Sequence, residues 1–212
     1  MHHANHERLA EPMPGYVELG EATLSTESDR SELTAEAFDE EFDRFVRTAF
    51  RLETRQDYTG ATGPGYDYWR RGEPMPERSP RTSPWLARVA ATTPAGKCWQ
   101  RAHLVELPLS EYMQYEMVLY AENVAAGEDI RIANRDAHPV LGMLTQDFWL
   151  FDAHDPSREH AVFLTFDKGG YPTRYEWTNN PERLAECRSQ RDLVWSLAVP
   201  LAHFLAEHDR HP

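Results

Sequence analysis

The chain has 212 residues, 41% of them hydrophobic and 11% aromatic, which suits one domain with a real core. Its 35 acidic residues outweigh 22 basic ones, for a formal charge of −13. That average repels a phosphate backbone and argues against direct nucleic-acid binding, and no apolar run reaches the length of a membrane span.

The first stretch, "MHHANHERLAEPMPGYVELG", has no apolar signal core. With two cysteines, Cys98 and Cys187, there is no disulfide scaffold, and both read as free thiols with a buried structural role in a cytoplasmic protein. Residues 1–33 are rich in Glu, Ser, Thr, Pro and Gly and read as a disordered or loosely attached acidic tail. His2, His3 and His6 fall within it. A single domain is expected over 34–212.

Thr34 caps a helix running through "AEAFDEEFDRFVRTAF", with Phe38, Phe42, Phe45, Val46 and Ala49 on one apolar stripe. "RLETR" alternates, Leu52 and Thr54 on one side, Arg51, Glu53 and Arg55 on the other, and reads as a short strand with a charged face. Residues 59–84 are dense in proline and glycine. They form a long loop, suited to a lid or binding segment, with a short helical piece at "YDYWRRG". "GATGPG" within it lacks the strand–helix context of a phosphate loop. The basic residues Arg70, Arg71, Arg78 and Arg81 read as solvated loop charges.

Ser83 and Pro84 open a second main helix that ends near Gly96. "CWQRAHLVEL" is a strand with His103, Val105 and Leu107 on one face. Ser110 caps the helix "EYMQYEMVLYAENVAAG", closed by Gly127. "DIRIANR" is another strand. "DFWLFD" (147–152) places Phe148 and Leu150 on one side and Trp149 and Phe151 on the other, so both faces are apolar and the strand is central. "AVFLTFDKGGYPTRYEW" is a hairpin, with Pro172 putting its return strand at an edge or entering late. A final helix, started by Pro181, is bent or broken at Pro200. The sum is an α+β domain with a mixed, partly antiparallel sheet packed with helices.

Five stretches in order, "FRLETRQDY" (50–58), "SEYMQYEM" (110–117), "NVAAGEDIRI" (123–132), "DFWLFD" (147–152) and "RDLVWSLAVPL" (191–201), resemble an uncharacterised actinobacterial family, domain of unknown function 6879. The resemblance covers roughly residues 38 to 201, leaving out the acidic tail. It implies a small protein often encoded beside helix-turn-helix regulators, hence a regulatory partner or sensor. It supplies no catalytic residues.

The candidate site comes from the residues themselves. Tyr112 and Glu116 share a helical face with Tyr115 beside them. A carboxylate flanked by phenols grips an amine or hydroxyl, or acts as a general base if its pKa is raised. The plainer alternative is an amphipathic helix with packed tyrosines and a solvated Glu. Arg51 and Glu53 share a strand face and, if covered, need partners: each other, their neighbours, or a small anionic or zwitterionic ligand. Asp147 and Asp152 stand about 16 Å apart along one strand, too far for a glycosidase pair. Asp147, with Trp149, is the end expected to border a pocket.

His154, His160, His203 and His208 lack ligand spacing, His103 reads as a satisfied core histidine, and neither metal nor cofactor is expected. Lys97 beside Cys98 raises the question of a lowered thiol pKa, without a histidine partner.

Two readings follow. One is a non-enzymatic regulatory or small-molecule-sensing partner of a helix-turn-helix regulator. The other is a small cytosolic enzyme of specialised metabolism with a pocket lined by Tyr, Glu and Asp. Oligomeric state is open.

Overall fold

The structure, a computed structural model, describes residues 30–208. The expected tail and its His2, His3 and His6 lie outside the described residues up to 29. Residues 30–33, expected within the tail, instead form a strand, β1 (Arg30–Leu33), which adds to a sheet edge through backbone pairing that composition does not encode.

Next come α1 (Ala35–Arg44), β2 (Thr48–Glu53), α2 (Gly65–Arg70), α3 (Pro84–Thr92), β3 (Cys98–Val105), α4 (Glu111–Ala126) and β4 (Glu128–Asn134). After them follow β5 (Asp147–Phe151), β6 (His160–Phe166), β7 (Pro172–Thr178), α5 (Pro181–Leu197), β8 (Val199–Pro200) and α6 (Leu201–His208). The caps read from sequence are in place: Thr34 Oγ1 accepts from Ala37 N, Ser110 Oγ accepts from Met113 N, and Gly127 ends α4 at φ +116°.

The first helix is shorter than its apolar stripe suggests. It stops at Arg44, and Thr48–Glu53 turns into strand. The cause is distant in sequence. The Asp152 carboxylate accepts from the backbone N–H groups of Val46, Arg47 and Thr48, so those amides are held in a turn and withheld from the helix. Val46, placed on the stripe, is 46% exposed.

The strands form one eight-stranded mixed sheet in the order β1-β7-β6-β5-β2-β3-β4-β8. β2, β3 and β4 run parallel, joined by crossovers carrying α3 and α4, and every other pair is antiparallel. β7 is covered by β1 and so is not an edge strand, and Pro172 is tolerated as its first residue.

β5 is central and buried throughout. On one side Phe148 and Leu150 join Phe50, Leu52, Ala102 and Leu104 under α5, through Leu184, Cys187 and Val194. On the other, Trp149 and Phe151 pack with Phe42 of α1, Phe45 just after it, Val89 of α3 and Trp99. α4 and α6 extend this second face over Val105, Ile130 and Ile132.

Candidate functional site

The second face carries charge where a sheet interior is usually apolar. Register puts Trp149, Arg51, Arg101 and Ile130 side by side across β5, β2, β3 and β4, with Glu53 beside His103 in the next row. Two adjacent guanidinium groups in a sheet centre repel unless a carboxylate stands between them. Glu53 Oε1 takes that place, accepting from Arg101 Nη1 at 2.6 Å and Arg51 Nε at 3.4 Å. Arg51 Nη2 donates to Asp147 at 2.7 Å and Arg101 Nε to Glu128 at 2.8 Å. Arg51 is only 4% exposed and its Nη1 has no hydrogen-bond partner.

α4 lies across this floor and sends down Tyr112, Glu116, Tyr120 and Asn123. Tyr120 Oη donates to Glu53 Oε2, and His103 Nδ1 lies 2.7 Å from the same phenol. His103 Nε2 reaches the Arg55 carbonyl at 2.7 Å, which only accepts, so that nitrogen carries a proton. The Tyr120 proton goes to Glu53, so the contact between His103 Nδ1 and Tyr120 is a hydrogen bond when Nδ1 carries a proton as well. Asn123 Nδ2 donates to Glu128 Oε2 at 3.0 Å. Tyr112 Oη donates to Glu116 Oε2 at 2.9 Å.

The electrostatics separate the carboxyls. Burial alone would raise the Glu53 pKa, but Arg101 foremost, with His103 and Arg51, holds it well below the usual carboxylate range. Glu116 goes the other way, raised first by burial and then by the nearby charge of Glu53. Burial and Glu116 push the Tyr112 phenol far up, so it stays a donor.

Above the floor is a cavity of about 630 Å³. Arg51, Glu53, Arg101 and Trp149 of the sheet line it, together with Tyr112, Tyr115 and Glu116 of α4 and with Phe38, Phe42, Trp85 and Tyr175. The long loop supplies Thr62–Gly65 and Met75–Arg78. It is tied down at several points: Tyr66 and Trp69 of α2 pack on Tyr115, Arg78 pairs with Glu122 at 2.6 Å, and Gly60 N donates to Gly169 O at 2.7 Å.

Of the residues singled out in the sequence, Arg51, Glu53, Tyr112, Tyr115, Glu116 and Trp149 converge on this cavity. Asp147 does not line it. Its carboxylate lies beneath Arg51, fully taken up by four donors: Thr54 N, Thr54 Oγ1, Arg51 Nη2 and Tyr58 Oη. Its role is to hold Arg51 and Tyr58.

Sequence reasoning missed Arg101, Tyr120, Glu128, Asn123, Trp85 and Tyr58. Two had a signal. Arg101 lies two before His103 on the same strand face, and Tyr120 lies four after Glu116 on the same helix face.

Other expectations resolve differently. Cys187 is buried but Cys98 is exposed, and the Cys98 pKa is raised, by partial burial and then Asp129, despite neighbouring Lys97. Arg70 and Arg71 are exposed, as the solvated reading expects, in surface pairs with Glu111 and Glu73, while half-buried Arg78 pairs with Glu122. Among the described residues no group of three or more His, Cys, Asp or Glu side chains is placed to hold a metal, and no helix is long and apolar enough to cross a membrane.

A family model described as Domain of unknown function (DUF6879) matches residues 36–206, and the chain belongs to that family. No curated protein matches the chain.

Proposed function

We propose that this member of the DUF6879 family binds a small organic molecule in the cavity over β2 and β3, as a non-enzymatic sensing or regulatory partner of a helix-turn-helix regulator. One observation carries the reading: a fully buried Arg51–Glu53–Arg101 network forms the floor of an aromatic-walled cavity of about 630 Å³. Buried ion pairs are poor stabilisers, since apolar side chains of similar volume usually serve a core as well or better. Two arginines in the middle of a sheet therefore fit better with a recognition role than with stability. The volume lies in the range of small-molecule sites, which combine apolar walls with a few fixed polar groups.

The non-enzymatic half is supported by how the carboxylates are used. Glu53, Asp147 and Glu128 are bonded to guanidinium groups and other donors, which occupies the oxygens a general base would offer to a substrate. Among the described residues no Ser or Cys lines the cavity, and the hydroxyls of its threonines, Thr62 and Thr82, donate to backbone carbonyls rather than to a base. The partner half rests on the genomic neighbourhood that the family resemblance implies. A formal charge of −13 fits a partner that leaves DNA contacts to the regulator and stays off membranes.

Glu116 favours a second reading. A buried-side carboxyl with a raised pKa, next to a phenol donor, has the properties of a general base in a small cytosolic enzyme.

A thermal-shift and calorimetric screen of small metabolites tests the main reading. Ligands that bind the wild type are expected to lose affinity in Leu119→Trp, which fills the cavity from α4 without touching the ionic floor. Undiminished binding to that variant overturns the cavity as the site. Turnover of a bound ligand favours the enzyme. Affinity purification from the native host that recovers no helix-turn-helix protein overturns the partner half.

A further inference from the structure

We infer that the cavity takes a small organic cation, a protonated amine on an aromatic or apolar body, with the Glu116 carboxylate as its counter-charge and Tyr112 as the group that positions it. This rests on the small-molecule reading above and names the ligand class for the same site.

The charges around the cavity point that way. On the floor, Glu53, Asp147 and Glu128 are bonded to Arg51 and Arg101. His103, 3.3 Å from Glu53, is the further floor group able to carry positive charge. Even counting it, these cations do no more than match the three acids they touch. At the rim Arg78 is paired with Glu122, and Glu77 adds another acid to the lining.

Glu116 stands outside all of these pairs. It accepts one hydrogen bond, from the neutral Tyr112 phenol on Oε2, and its Oε1 accepts none from the described residues. It has no ion-pair partner among the described residues, and burial, then the charge of Glu53, raise its pKa against the lowering effect of the more distant Arg101, of the Tyr112 hydrogen bond and of His103.

The walls fit the same ligand. The rings of Tyr112, Tyr115 and Trp85 line the space, as do those of Trp149 and Phe42, which already have Arg51, Arg101 and Arg88 over them. Aromatic faces carry negative potential and attract ammonium groups, while the ring body of a ligand packs against them. An anionic ligand would have to seek Arg51 and Arg101, whose charge Asp147, Glu53 and Glu128 already compensate; their part in recognition is to hold Glu53 and the floor in place, and the unpartnered Arg51 Nη1 is itself buried.

The experiment uses the full chain and three probes of nearly equal shape: phenethylamine, phenethyl alcohol and hydrocinnamate, compared by calorimetry and by ligand-observed NMR. The amine is expected to bind at least about tenfold more tightly than the alcohol at neutral pH, the scale of one charged hydrogen bond. Glu116→Gln, which keeps shape and volume, is expected to erase that preference while the alcohol still binds. The preference is also expected to fade as pH falls through the Glu116 pKa, which lies above the ordinary carboxylate value of 4.5.

Tyr112→Phe removes the donor that lowers the Glu116 pKa, so the preference should survive but need a higher pH. The groups that act on Glu116 are Glu53 on β2, Arg101 and His103 on β3, and Tyr112, Tyr115 and Tyr120 on α4. Unlike Tyr112→Phe, replacing any of the floor residues would disturb the ionic floor itself.

Hydrocinnamate binding best, or an amine preference that Glu116→Gln leaves intact, overturns the cation assignment and leaves the small-molecule reading standing. Failure of all three probes to bind at millimolar concentration counts against both.

Discussion

Asp147→Asn probes the support beneath the cavity floor. The side chain is 2% exposed, and its two oxygens receive four donors, Thr54 N at 2.9 Å, Thr54 Oγ1 at 2.6 Å, Arg51 Nη2 at 2.7 Å and Tyr58 Oη at 2.6 Å. A carboxylate can accept all four. An asparagine accepts on one oxygen only, and its amide hydrogens then face two donors. Arg51 is left with Glu53 Oε1 at 3.4 Å, and its Nη1 is already without a partner.

Removing one member of a buried charge pair costs about 3–5 kcal/mol. At about 2–4 °C per kcal/mol for a domain of this size, the expected fall in Tm is about 6–20 °C. Urea titration followed by circular dichroism at pH 7, with calorimetry, reads both quantities. The double variant Arg51→Met/Asp147→Leu is expected to be more stable than Asp147→Asn, because two apolar groups leave no unpaired charge. A cost below about 1 kcal/mol for Asp147→Asn, or single-variant costs at 51 and 147 that simply add, would refute the account of a coupled buried pair.

Three further outcomes are expected. The Glu53 pKa is depressed, so the stability this residue contributes is present above the ordinary value of 4.5 and lost as pH falls through the folded value. Glu53→Gln should flatten the acid limb of the stability–pH curve while lowering stability at neutral pH by about 3–5 kcal/mol, and an unchanged acid limb rules the assignment out. Gly170 sits at φ +82°, and a Cβ there would meet Tyr58 Cα at 2.7 Å. Gly170→Ala is therefore expected to cost more than about 1 kcal/mol and to weaken ligand binding by shifting Tyr58 and the start of the loop. Wild-type binding in that variant would show the loop is not held from this side. Asp152→Ala removes the acceptor for three backbone amides and is expected to cost about 1–3 kcal/mol with probe affinity unchanged. A loss of affinity would mean that the turn before β2 communicates with the cavity.

What was readable in the sequence, and what was not, divides by the distance over which a residue acts. Caps, turns and alternation are local, so Thr34, Ser83, Ser110 and Gly127 marked helix ends where the structure has them. The apolar alternation of 148–151 likewise identified a strand covered on both faces. The overlong first helix is the counterexample. "RFVRTAFRLE" fits a helical stripe as far as Ala49 and a strand from Thr48, and local propensity does not choose. The choice is made by Asp152, whose carboxylate reaches back more than a hundred positions to hold the amides of residues 46–48.

The cavity obeys the same division. Arg51 and Glu53 drew notice because charges alternate with apolar residues in a short strand, and Tyr112 and Glu116 because they lie one helical turn apart. Their convergence depends on register. In the parallel pairing of β2 and β3, Arg51 is level with Arg101 and Glu53 with His103. A slip of one residue would put Gln100 or Ala102 there instead and turn the second guanidinium to the opposite face. Glu53 is then the residue that makes the register tolerable, since its Oε1 serves both arginines and its Oε2 ties the pair to Tyr120 on α4. The same side chain that allows two cations in the sheet centre also fixes the helix carrying Glu116 above them. The charge of the cavity and its shape are therefore set by one contact.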